Sequence, residues 1–101
     1  MSSDLEWSFD AELWLWKADA AWHFITLPHE VADEIDDAVI ERRGFGSVRV
    51  VVRVGSSEWK TSIFPSKADE SFLLPIKKAV RVAEGLEVGD TCRVHLALTQ
   101  D

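Results

Sequence analysis

A chain of 101 residues with a net charge of −7 and a pI near 4.8 is the length of one domain, residues 1–101, and can bury a core without disulfides or metals. Its acidity disfavours non-specific attraction to nucleic acid or to anionic lipid. Hydrophobic residues at 47% and charged residues at 29% place it with globular rather than disordered chains.

The first residues, Met1-Ser2-Ser3-Asp4-Leu5-Glu6, carry neither the basic region nor the apolar run of a signal peptide. No stretch approaches the roughly 18–20 apolar residues of a membrane span. Cytoplasmic residence, with no membrane partner, is the expectation. From Trp7 to Trp16 the pattern alternates, with Trp7, Phe9, Ala11, Leu13 and Leu15 on one face and Glu6, Ser8, Asp10 and Glu12 on the other. A short turn around Asp19 leads to a second strand over 21–27, close enough to form a hairpin. Pro28 then opens a helix whose apolar residues Val31, Ile35, Ala38 and Val39 oppose Glu30, Asp33, Glu34, Asp36 and Asp37. Its expected stop is Gly44, with Arg42 and Arg43 in the last turn.

Val48, Val50, Val52 and Val54 form the strongest strand signal, alternating with Arg49, Val51 and Arg53. Gly55-Ser56-Ser57 is a turn, and 58–64 returns antiparallel until Pro65, which lacks a ladder N–H. The polar stretch 66–71 is expected as an exposed loop. Phe72-Leu73-Leu74 is extended, and Pro75 opens a second helix. Its stripe is Ile76, Ala79, Val80 and Ala83, with Lys77, Lys78, Arg81 and Glu84 outward. Gly85 is placed to cap that helix in the left-handed region, with Leu86 folding back onto it. Val88-Gly89-Asp90 turns into a last strand over 91–99, where Cys92 alternates with Val94, Leu96 and Leu98 as a small buried hydrophobe. As the sole cysteine, it excludes an internal disulfide and a cysteine-based zinc cluster. No repeat of sequence interrupts the order. One apolar file per strand and two one-faced helices define an α+β, mainly β fold: a small curved sheet or barrel with two short external helices.

Arg43-Gly44-Phe45-Gly46 before the valine strand, 59–65 (Trp-Lys-Thr-Ser-Ile-Phe-Pro), 74–81 (Leu-Pro-Ile-Lys-Lys-Ala-Val-Arg) and Gly89-Asp90 follow one another at a recognisable spacing. With the Phe9-Ala11-Leu13 strand and 22–28, they make the chain resemble the domain of unknown function 1905 family over nearly its whole length. The resemblance implies a double-split β-barrel, a class also used by swapped-hairpin transcription factors. It implies no activity and no catalytic residues.

The residues themselves carry few signals of chemistry. His23, His29 and His95 lack paired metal-ligand spacing, although His23 and His95 stand opposite apolar files and are candidates to meet across a barrel. The carboxylates crowd one helix flank rather than a pocket. Thr61 and Ser62 lie in no nucleophile elbow, and no phosphate loop precedes a helix. An enzyme is therefore not the preferred reading, and no cofactor is expected. The candidate site is a basic group, Lys77, Lys78 and Arg81, whose mutual repulsion an anion would relieve. Glu84, Glu87 or Asp90 are the compensating alternatives. The expected function is a non-enzymatic module for a small anionic ligand or a protein partner. Nucleic acid is the alternative, should Arg49, Arg53, Lys60 and Arg93 extend the patch.

Overall fold

Alternation gives each strand an apolar face, and those faces close on one another in the computed structural model, which describes residues 5–17, 22–39 and 46–99. The elements are β1 (Glu6–Leu15), β2 (His23–Thr26), α1 (His29–Ala38), β3 (Val48–Val54), β4 (Ser57–Ser66), β5 (Ser71–Pro75), α2 (Lys78–Glu84) and β6 (Thr91–Leu98). The six strands form a closed antiparallel barrel in the order β1-β2-β5-β4-β3-β6. Phe9 and Leu13, Ile25, Val48, Val50, Val52 and Val54 of β3, Ile63, Leu74, Val94 and Leu96 point inward and are buried. Each such aliphatic side chain contributes about 1.5–3 kcal/mol relative to exposure.

The two longest strands, β1 and β4, each serve two sheets. β1 pairs with β6 through Glu12 and with β2 from Leu13. β4 pairs with β3 through Ile63 and with β5 from Phe64. Beyond each change of partner one edge of the long strand is left without a neighbour, so the barrel is split twice. α1 covers the split beside β1, where Trp7 Nε1 donates to Glu34 Oε1 at 2.7 Å. α2 stands beside the other, where the Ser57 hydroxyl donates to Glu84 Oε2 at 2.7 Å. The chain is thus a long strand, a short strand, a helix and a strand, made twice. Exchanging the halves swaps β1–β2 with β4–β5 and β1–β6 with β3–β4 and carries β2–β5 and β3–β6 onto themselves, a duplication that left no repeat in the sequence.

Several expected boundaries move. α1 stops at Ala38, because Val39 is already extended (φ −95, ψ 118) and its N–H closes on the Ile35 carbonyl. Its last turn holds no basic residue; Arg42, Arg43 and Gly44 lie outside the described residues, as does Asp19. Pro65 does not end β4. It faces Phe72, whose carbonyl is taken by the Leu27 N–H on the other side, so no ladder bond is asked of the proline. Ser71 is not in an exposed loop: it is buried and its hydroxyl donates to the Leu27 carbonyl at 2.7 Å. Gly85 has φ 65 and ψ 36, as the cap requires. Its N–H reaches the Val82 carbonyl, and the Leu86 N–H reaches that of Arg81.

Candidate functional site

Pro75 does not open the second helix. It ends β5, Lys77 caps α2 in extended geometry (φ −70, ψ 158), and the helix itself is seven residues long. So short a helix buries only Val80 among its own residues, whereas α1 buries Val31, Ala32 and Ile35. Ala79 and Ala83, expected in the buried stripe, are exposed. A cleft of about 860 Å³ opens at the split beside β4.

One wall of the cleft is α2 and the residues leading to it, with Lys77, Lys78 and Arg81. The other carries Trp59 and Thr61 from β4, while Trp22, Phe64 and Pro75 form the outer lip and His23 and Ile76 the floor. All three candidate residues therefore come together, but not as an outward helix face. Lys77 and Lys78 are exposed, whereas Arg81 is half-buried and folds back. Its Nε donates to the Ile76 carbonyl at 3.2 Å, and its Nη1 lies 3.5 Å from His23 Nε2 as donor to that nitrogen. These contacts hold the guanidinium against the floor. None of the three cations makes an ion pair among the described residues, so none of Glu84, Glu87 and Asp90 is in direct contact with them. Glu84, expected outward, is half-buried and occupied by Ser56 and Ser57.

The rings were the part of the site that the sequence concealed. Trp22 is 47% exposed and Phe64 43%, and Trp22 stacks on Phe24 with centroids 5.9 Å apart and planes 9° from parallel. Trp59, an inward residue by alternation, packs on the core rim. Its place was legible from β4 alone, and Phe64 shares that strand, but Trp22 belongs to a segment far from both in sequence, and only strand pairing brings it beside them.

His23 and His95 do not meet. His23 lies in the cleft. His95 lies on the outer face of the β4-β3-β6-β1 sheet, its Nδ1 2.7 Å from the Ser8 hydroxyl. A hollow of about 440 Å³ includes it with Arg53 and Glu58. Arg49 donates to Ser62 at 3.3 Å and Arg93 pairs with Asp10 at 3.1 Å. By alternation these cations and Lys60 stand on the outer side of that sheet, and none of them lines the cleft. Among the described residues no group of three or more His, Cys, Asp or Glu side chains has the arrangement to hold a metal ion, and no helix is long and apolar enough to cross a membrane.

Cys92 is buried, as its file predicted, and its thiol is pushed up from its ordinary pKa by burial and then by the Asp90 carboxylate. In the unfolded chain the thiol ionises above about pH 8.5, while the folded state keeps its proton. The stabilisation is complete below that pH and is lost as pH rises toward the raised folded value. Urea unfolding at about pH 7.5 and 9.5 should show a fall in stability that Cys92→Ala reduces. An identical fall in the variant would assign it to other groups.

A closed barrel in which two long strands each belong to two sheets is a double-split β-barrel protein. Residues 9–96 match the family model described as a domain of unknown function (DUF1905), and the chain belongs to that family. No curated protein matches it.

Proposed function

We propose that the protein is a non-enzymatic binding module whose cleft beside α2 takes an amphipathic anion. The observation that carries this reading is the meeting of three cations, without ion-pair partners among the described residues, with an apolar wall of Trp22, Trp59 and Phe64 in one cleft of about 860 Å³. Burial of a ligand's apolar body against the rings supplies most of the free energy. The lysines act as adjustable point charges, and the guanidinium of Arg81, already anchored through Nε, offers its remaining N–H groups to a carboxylate or phosphate.

A titration of ¹⁵N-labelled protein with 2-naphthoate, inorganic phosphate and a mononucleotide tests it. Naphthoate should saturate, with shifts concentrated on the residues that line the cleft. Replacing Lys77, Lys78 and Arg81 together by Gln should weaken that binding by roughly tenfold or more and reduce its salt dependence, while the fold persists. An unchanged affinity in the variant would defeat the proposal.

A second reading has one observation in its favour: the stacked pair Trp22–Phe24 and the exposed Phe64 beside lysines resemble a platform for single-stranded bases. The net charge of −7 and the removal of Arg49, Arg53, Lys60 and Arg93 to another face weigh against it. Saturable binding of a short duplex or single strand, falling steeply with salt, would transfer the cleft to this reading.

A further inference from the structure

Among the described residues no strand pairs with residues 58–62 of β4 on the side away from β3, and that edge bears on what shape of anion the cleft suits. The Leu27 N–H donates to the Phe72 carbonyl and the Ile76 N–H to the His23 carbonyl, at 3.0 and 2.9 Å. Even-numbered residues of β5 therefore turn their backbone groups toward β2, and Ser71 and Leu73 turn theirs toward β4. Their partners there are Ser66 and Phe64. One step further along the same register Ser62 would meet Pro75, which has no N–H to give. Pairing ends there, and the chain leaves for α2. By the same alternation Glu58 and Ser62 direct their N–H and C=O groups away from β3 and into the split. A helix satisfies its own backbone bonds and cannot replace a strand at that edge. The Ser57–Glu84 contact closes the far end of the split, and Lys77 and Lys78 stand where it opens.

We infer that the occupant is an extended peptide segment ending in a free carboxylate, added as a strand to the 58–62 edge of β4; this rests on the cleft being the binding site proposed above. A small anion alone uses the cations and leaves the strand edge to water. A peptide without a terminal charge uses the edge and brings no charge to three cations that have no ion pair among the described residues. A C-terminal segment answers both, with main-chain bonds supplying affinity and alternate side chains meeting the two sides of the opening. One set faces inward to Trp59 and Ile76, the other outward to Trp22 and Phe64.

The test uses the intact ¹⁵N-labelled chain and a panel of acetylated tetrapeptides with varied apolar side chains, each as free acid and as C-terminal amide. At least one free acid should saturate, slowing hydrogen exchange at the Glu58 or Ser62 amide. Its amide should bind roughly tenfold more weakly or worse. N-methylation should weaken binding at alternate peptide positions only, since alternate amides face the edge. Equal binding of acid and amide, or indifference to every N-methyl group, overturns the inference. Saturation by 2-naphthoate with no peptide binding also overturns it while leaving the amphipathic-anion reading standing. Silence toward both removes the two together.

Discussion

Val50→Asp is expected to unfold the domain at ambient temperature. Val50 is fully buried and sits between Thr61 on β4 and Leu98 on β6. Val52 and Val54 continue the same inward file, so the interior offers a carboxylate no cation. The residue must either hold a charge in an apolar core or take up a proton to avoid it, and either course costs several kcal/mol. A domain of this size has only about 5–15 kcal/mol of stability to lose. Val50→Ala separates packing from charge: removal of two methyl groups should cost about 2 kcal/mol and leave a cooperative transition. Urea denaturation followed by tryptophan fluorescence measures both. A Val50→Asp midpoint near that of the parent would overturn the inward assignment of β3.

Gly55→Val should be the most damaging change on the surface, at about 2–3 kcal/mol. Gly55 occupies the first position of the two-residue turn between β3 and β4 with φ 60, where a left-handed backbone costs a side-chain-bearing residue about 1–2 kcal/mol and a β-branched one more. The added Cβ would also collide with the Glu84 carboxylate. That carboxylate is the end of a flexible chain and would swing aside, forfeiting the hydroxyl bonds from Ser56 and Ser57 that tie α2 to the hairpin. Glu84→Gln isolates this second contribution. If denaturation shows Gly55→Val no less stable than the parent, the turn geometry is wrong. If Glu84→Gln proves nearly neutral, the backbone carries most of the loss.

The two glycines show how local signals reach the structure intact. Gly85 after Ala83-Glu84 and Gly55 before Ser56-Ser57 each mark a place where φ must be positive, and each has it. The inward files of β1, β3 and β6, the buried Cys92 and the acidic outer face of α1 were legible for the same reason. Period-two and period-3.6 patterns record which side of an element meets water, and that record is complete within a few residues. The gathering of Lys77, Lys78 and Arg81 was also visible, being a matter of five consecutive positions.

What those residues face was decided elsewhere. Pro65 continues a strand because Phe72 spends its carbonyl on Leu27, and Pro75 ends one because Ser62 would have needed its N–H. The same residue type has opposite effects according to the phase of a ladder with a partner several residues away. Arg81 turns inward because β2 brings His23 beneath it and the carbonyl of Ile76 stands within reach. Trp22, Trp59 and Phe64 meet through the order β2-β5-β4, and the duplication of strand, strand, helix, strand is visible only in which strands pair. Sequence alone determined the faces of the elements, because a face is set by near neighbours along the chain. The tertiary structure decided the site, because register and the change of partner at Ile63–Phe64 depend on hydrogen bonds between segments that the chain holds far apart.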